Sequence, residues 1–172
     1  MFVAGLDWCA SSNAIVSSSH DRSAYVWQLE EATNTWKPVI CVLHITRAAL
    51  AVKWSPNGAS ARTRAALCAR PPRPALPPYP SRARAGLKFA ATSGAKCVSV
   101  CYYDNAEGNN WWVGKVIKKQ KSTVLSVAWH PNSQIIATGC ADFKCRIFSA
   151  LMGEVDEGCV RACVCVCAAA CA

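Results

Sequence analysis

Apolar and polar residues alternate in short runs along this chain, and turn-forming residues separate the runs. The segment 122–150 shows this most clearly, because its runs are divided by Pro131-Asn132 and Ala141-Asp142. Proline presets φ, and asparagine and aspartate tolerate the geometry of tight turns. The segment therefore predicts three strands, at Val124–Trp129, Ile135–Thr138 and Cys145–Ser149.

The same pattern occurs near the N-terminus with the same spacing. Trp8 is followed by Asp21 after 13 residues, and Trp129 is followed by Asp142 after 13 residues. Three short strands that end near an aromatic residue after an aspartate are typical of one blade of a β-propeller. The recurrence indicates a repeat rather than an isolated sheet.

A third copy begins at Trp54, which lies 46 residues after Trp8. This spacing is close to the length of one WD40 repeat, about 40–45 residues. The later strands of this copy come late in the sequence. Removing residues 59–86 leaves 47 residues between Trp54 and Trp129, and the period is restored.

These repeats predict an all-β fold, a partial WD40 β-propeller of two to three blades. A propeller needs roughly 4–8 blades to close, so the chain supplies only part of a ring. The predicted units are an incomplete blade at 1–44, a blade at 45–121 interrupted by the insertion 59–86, a blade at 122–150 without its outer strand, and a disordered cysteine-rich tail at 151–172.

Two kinds of residue recur at fixed positions in the repeats. Asp21 and Asp142 precede the third strand, where we expect each carboxylate to brace the turn by accepting backbone N–H bonds rather than to act in catalysis. The second repeat has Ala95 at this position and lacks the brace. The aromatic positions are predicted to pack in the core; they are Trp8, Trp27, Trp54, Trp129 and Phe148.

The histidines do not suggest catalysis. His130 precedes a proline in a turn, and no motif places a serine or cysteine nucleophile beside it. His44 and His20 are predicted to be structural or solvated. We expect no catalytic, cofactor-binding or metal-binding residue, and thus no enzyme.

A candidate contact surface lies around the second outer strand. Trp111 and Trp112 are consecutive there, so one ring must face inward and the other outward. The outward ring is a candidate subunit contact. Lys118 and Lys119 follow in the next connector and are a further candidate, for an acidic partner, although such lysines usually form a solvated face.

The formal net charge of +9 is concentrated in one segment. Residues 59–86 hold six arginines and no acid, and the rest of the chain is only about +3. We therefore expect neither nucleic acid nor a membrane as a partner. The start has no signal-peptide pattern, and no apolar run could span a bilayer, which favours a cytoplasmic protein. Of the twelve cysteines, those in the blades are accordingly predicted to be reduced thiols rather than a disulfide framework, and those in the tail to be exposed thiols that oxidise.

Residues 59–86 and 158–172 differ in composition from the blades. The first holds six of the nine prolines and is predicted to be disordered. The second alternates cysteine and valine. We hypothesise that both are translated non-coding sequence, which transcript reads across Gly58 and Leu87 would test. For residues 59–86, the alternatives are a basic arm that binds nucleic acid or a proline-rich ligand of an SH3 domain. For the tail, the alternative is a soft-metal site at Cys159, Cys163, Cys165, Cys167 and Cys171. The spacing of these cysteines lacks the paired knuckles of familiar zinc sites.

Several segments carry a more specific signal than the repeat alone. They are AYVW from Ala24, WKPVI from Trp36, VKWSP from Val52, SVCYYD from Ser99, NNWWVGKVIKK from Asn109, STVLSVAWHPN from Ser122 and DFKCRIFSA from Asp142. In order and spacing they resemble the WD40-repeat subunit 1 of the actin-related protein 2/3 complex, over about 3–58 and 87–157. The resemblance implies an internal piece of a seven-bladed propeller, with blades two to four in part.

The resemblance also implies a function. It suggests a non-enzymatic scaffold, with the other subunits of that complex and, through the complex, actin filaments as partners, in the cytoplasmic cytoskeleton. The alternatives are a generic WD40 adaptor of another assembly, a non-functional fragment from a mispredicted gene model, and an enzyme with a redox or metal-binding cysteine tail. Because an open propeller leaves apolar faces and strand edges uncovered, we expect the chain to aggregate or to unfold with weak cooperativity when expressed alone.

Overall fold

The computed structural model describes residues 2–56, 87–104 and 111–150, together with the backbone of strand 163–166. All regular structure in this part of the chain is β. The strands are β1 Val3–Cys9, β2 Ala14–Ser19, β3 Ser23–Glu30, β4 Thr35–Val42, β5 Ala49–Trp54, β6 Lys88–Ser93, β7 Cys97–Asp104, β8 Trp111–Ile117, β9 Val124–Trp129, β10 Ile135–Cys140, β11 Lys144–Ser149 and β12 Cys163–Val166.

The strands form three four-stranded antiparallel sheets. Sheet 1 contains β1 to β4, sheet 2 contains β5 to β8, and sheet 3 contains β9 to β12, each in chain order from one edge to the other. The predicted all-β architecture of a partial propeller is confirmed. The insertion 59–86 and most of the tail lie outside the described residues.

Local sequence explains the tight turns of sheet 1. Asn13 lies between β1 and β2 with φ of 47°, and Asn34 lies between β3 and β4 with φ of 49°. Left-handed backbone is costly for most residues, and asparagine is one of the few that adopts it routinely. The two asparagines therefore direct the chain back along the neighbouring strand.

The sheets pack face to face through two apolar clusters. The first joins sheets 1 and 2 and includes the fully buried Val16, Val26 and Phe89. The second joins sheets 2 and 3 and includes the fully buried Ile136 and Phe148. Sheet 2 is thus covered on both faces, whereas sheets 1 and 3 are each covered on one face by the described residues.

A glycine allows the outer parts of sheets 1 and 2 to approach closely. A Cβ atom at Gly114 of β8 would lie 2.8 Å from the carbonyl oxygen of Val42 in β4. Real Cβ atoms do not approach a backbone oxygen that closely, so a larger residue would force the strands apart. Sheets 1 and 2 are therefore in contact here through their backbones as well as through their side chains.

The structure corrects the prediction for the third sheet. We expected it to lack an outer strand and the tail to be disordered, but Cys163–Val166 pairs antiparallel with β11, from Lys144 opposite Val166 to Ile147 opposite Cys163. An unpaired edge of β11 offers free backbone N–H and C=O groups. The alternating valines of the tail have high β-propensity, so the segment satisfies that edge.

Candidate subunit interface

The three inner strands β1, β5 and β9 lie beside one another, and polar bonds link them across the sheets. Asp7 Oδ2 accepts the backbone N–H of Trp54 at 2.7 Å, and Asp7 Oδ1 pairs with Lys53 Nζ at 3.0 Å. Sequence reasoning missed this link. Its signal is the alternation in β1, which directs Asp7 and Trp8 to opposite faces of sheet 1.

The tryptophans at the ends of β5 and β9 point toward the preceding sheet. Trp129 Nε1 donates to the carbonyl oxygen of Lys53 at 2.9 Å. Trp54 is buried in the cluster between sheets 1 and 2, with its ring edge-on to Phe89 at 5.5 Å. Trp54 thus packs sheet 2 against sheet 1, and Trp129 bonds sheet 3 to sheet 2.

Trp8 does not lie in a core, contrary to the sequence prediction. Its side chain is 54% exposed and contacts only Trp36 edge-on, at a centroid distance of 5.7 Å, among the ring pairs of the described residues. It points away from sheet 2, and the described residues place no sheet on that side. Leu6 and Ile40 lie on the same face and are exposed too. We call this surface the open face of sheet 1.

The two repeated aspartates lie in the turns before β3 and β11. Asp21 Oδ1 accepts the backbone N–H of Ser23 at 3.0 Å and also its hydroxyl. Asp142 Oδ1 accepts the backbone N–H of Lys144 at 3.3 Å, and its carboxylate pairs with Arg146 at 2.5 Å. The serine hydroxyl lowers the pKa of Asp21, and the guanidinium of Arg146 lowers the pKa of Asp142.

The second sheet closes the same turn without a carboxylate. The backbone N–H of Ala95 donates to the hydroxyl of Ser93 at 3.1 Å. In sheet 1 the equivalent bond runs from the backbone N–H of Asp21 to Ser19 at 3.4 Å. A serine at the end of the second strand thus supports the turn even where the aspartate is missing.

The aromatic position of the third strand has a different environment in each outer sheet. Trp27 is half-buried, and its Nε1 donates to the hydroxyl of Ser17 at 2.9 Å. Phe148 is fully buried. In the connector before β9, Gln120 donates to Thr138 at 2.9 Å and accepts from Cys140 at 3.1 Å. Sequence reasoning did not identify Gln120, because its partners lie 18 and 20 residues away on another strand.

Trp111 and Trp112 face opposite ways on β8. Trp112 is 6% exposed and packs against Trp54 at 5.8 Å and Tyr103 at 5.5 Å between ring centroids. Trp111 is 60% exposed at the start of the strand. The outward ring predicted from the alternation is therefore that of Trp111.

The two halves of the predicted contact are not brought together. Lys118 and Lys119 are exposed in the connector after β8, whereas Trp111 lies at the beginning of that strand. Six residues of extended chain separate such positions by roughly 20 Å. Trp111 and the lysines consequently belong to opposite ends of sheet 2.

The histidines take part in turns or face solvent. His130 Nδ1 accepts the backbone N–H of Asn132 at 3.2 Å, while His20 and His44 are exposed. Among residues 2–56, 87–104 and 111–150, no three His, Cys, Asp or Glu side chains group as metal ligands would. Nor does this part of the chain contain a helix able to cross a membrane.

Comparison with known families identifies the repeats. The model of the WD domain, G-beta repeat, matches residues 2–28 and 113–149. The first match contains β1 to most of β3, and the second contains β9 to β11. Two segments of the chain, mainly in sheets 1 and 3, thus match the WD40 repeat.

The chain is also similar to proteins of one name from distant organisms. It is 43% identical over 155 residues to actin-related protein 2/3 complex subunit 1A of Arabidopsis thaliana, which covers 90% of this chain and 32% of the relative. It is 42% identical over 156 residues to subunit 1A-B of Xenopus laevis, covering 90% and 34%. Against subunit 1 of Schizosaccharomyces pombe it is 38% identical over 152 residues, covering 88% and 32%. The predicted resemblance is confirmed, and the chain spans about a third of the length of these relatives.

Proposed function

We propose that this chain of WD40 repeats, similar over nine-tenths of its length to subunit 1 of actin-related protein 2/3 complexes, supplies part of a non-enzymatic scaffold in such a complex and supports nucleation of branched actin filaments. The observation that carries the proposal is 38–43% identity to plant, frog and yeast proteins that bear this one name. The proposal applies to the full-length gene product, in the cytoplasmic cytoskeleton.

The structure supports a rigid platform as the mechanism. Apolar clusters and the Asp7 bond to Trp54 fix the angle between neighbouring sheets. Because packed interiors deform little, loops and outer strands keep constant relative positions. Such a platform holds other subunits in place without chemistry of its own.

Trp111 is the residue that we propose as a subunit contact. Its ring is 60% exposed on the outer strand of a sheet that is otherwise well buried. Tryptophan is enriched among residues that dominate binding energy at interfaces, because it buries a large area at a small cost in side-chain entropy. No role in folding is evident for this exposed ring.

The test is co-purification of the tagged full-length product from its own cells. We expect actin-related proteins to be recovered with it, and we expect Trp111→Ala to reduce their recovery by about tenfold or more. Trp36→Ala is the matched control, because Trp36 is also an exposed tryptophan of an outer strand. Recovery of a different assembly without actin-related proteins would overturn the proposal in favour of a generic adaptor.

A further inference from the structure

One end of the three sheets is formed by turns and connectors that lie against each other. The backbone N–H of Gly94 donates to the carbonyl oxygen of Ala48 at 3.2 Å, and that of Ala141 donates to Thr123 at 2.9 Å. Each connector thus packs on the turn between the second and third strands of the next sheet. We call this surface the turn face; it comprises residues 19–23, 43–48, 93–97, 118–123 and 140–144.

The turn face carries almost all of the excess positive charge of the described residues. The described residues have 12 basic and 6 acidic side chains, a net charge of +6. The turn face has seven basic and two acidic side chains, a net charge of +5. Its basic residues are Arg22, Arg47, Lys96, Lys118, Lys119, Lys121 and Lys144. The rest of the described surface is close to neutral.

The two acids of the turn face are occupied by local bonds. Asp21 accepts from Ser23, and Asp142 pairs with Arg146, whose side chain is 3% exposed. Both carboxylates are already counted in the net charge of +5. Of the seven basic residues, all but Lys144 are exposed.

An apolar ring projects from the same surface. Phe143 is 88% exposed at the tip of the β10–β11 turn, at the position that Arg22 and Lys96 take in the other two sheets. Its φ is 59°, a left-handed conformation that is rare for a bulky residue. Arg22 and Lys96 have the same conformation, with φ of 74° and 59°, so it belongs to the repeated turn. The exposure of the apolar ring is the feature that is unfavourable for the isolated fold.

We infer that the turn face docks on the surface of an anionic phospholipid bilayer. The basic side chains would lie against the negative headgroups, and the ring of Phe143 would enter the boundary between headgroups and acyl chains. Basic clusters bind acidic leaflets, and a neighbouring aromatic ring adds buried apolar area. This inference does not depend on the proposed function, and it departs from the expectation from the sequence that no membrane is a partner.

The shape of the surface favours a bilayer over an acidic peptide. The charges are spread over three turns and two connectors in three sheets, so they form a broad face. Phe143 projects from this face, whereas a peptide site offers a recess that accepts an anchor of the partner. A bilayer is broad, negatively charged and penetrable by such a ring.

The test is flotation of the full 172-residue chain with vesicles in a density gradient, in which aggregated protein sinks. Vesicles of phosphatidylcholine with about 30 mol% phosphatidylserine are compared with pure phosphatidylcholine. We expect flotation only with the anionic vesicles and its loss at about 0.5 M salt, where charges are strongly screened. Arg22→Glu with Lys96→Glu should weaken partitioning by at least about tenfold, and Phe143→Ser by a similar factor.

Two control variants separate the turn face from general charge and apolarity. Lys37→Glu with Lys115→Glu changes the net charge equally at lysines outside the turn face, and Trp111→Ser removes an exposed ring at the opposite end of sheet 2. Both should float like the wild type, and circular dichroism should show unchanged β structure in every variant. Equal loss in the controls, flotation with neutral vesicles, no flotation at all, or binding of a fluorescent acidic peptide without flotation would each overturn the inference.

Discussion

The bond between Asp7 and Trp54 gives the sharpest test of how sheets 1 and 2 are joined. β5 is an edge strand of its sheet, and the N–H of Trp54 points to Asp7 at 2.7 Å instead of to another strand. Asp7→Ala would leave this donor unpaired beside a buried residue. An unsatisfied buried group costs about 1–3 kcal/mol, whereas the partly exposed ion pair with Lys53 contributes only about 0–1 kcal/mol.

We therefore expect Asp7→Ala to lower the free energy of unfolding by about 2 kcal/mol and the urea midpoint by about 1 M. Unfolding would be followed by far-ultraviolet circular dichroism at low protein concentration. Lys53→Met is the matched control, since it removes the ion pair and keeps the acceptor for Trp54. If both variants lost the same small amount of stability, the bond to the backbone would contribute nothing and our account of the junction would be refuted.

Three further predictions concern the buried residues and the turns. Phe148→Ala should cost about 3–5 kcal/mol in urea unfolding, because the ring is fully buried between sheets 2 and 3; a loss below about 1 kcal/mol would contradict this packing. Arg146 lowers the pKa of Asp142, so this ion pair stabilises the fold fully at any pH above the ordinary aspartate pKa. The stabilisation is lost as the pH falls through the lowered pKa. Arg146→Met should therefore reduce the dependence of the urea midpoint on acid pH. The thiol of Cys101 together with burial raises the pKa of Cys41, so a thiol reagent at neutral pH should modify Cys41 only as the chain unfolds, and rapid labelling of the native chain, located by mass spectrometry, would disprove this.

The repeat could be predicted because it depends only on the intervals between residues that are close in the sequence. The interval from Trp8 to Asp21 recurs from Trp129 to Asp142, and both aspartates lie in the turns before the third strand. The opposite orientation of Trp111 and Trp112 follows from the two-residue period of a strand. Such features require no knowledge of which sheet packs on which.

Features that depend on contacts between sheets were not predictable in the same way. Trp8 has the spacing of a core residue, yet its exposure depends on whether another sheet covers that face. The strand at 163–166 forms against an edge of β11 that only the assembled sheet presents. The positive charge of the turn face also could not be predicted from the sequence, because its seven basic residues come from five separate segments.

The double covering of sheet 2 has a consequence for how the molecule opens. Its strands β6 and β7 are screened from water on both faces by sheets 1 and 3, and they are hydrogen-bonded on both edges. Amide protons of a native protein exchange with deuterium through local openings, whose free energies rise toward the most enclosed strands. The slowest-exchanging amides should lie near Ala90 and Val100, and protection from exchange should decrease toward sheets 1 and 3. Sheet 2 should therefore be the last of the three sheets to exchange its amide protons.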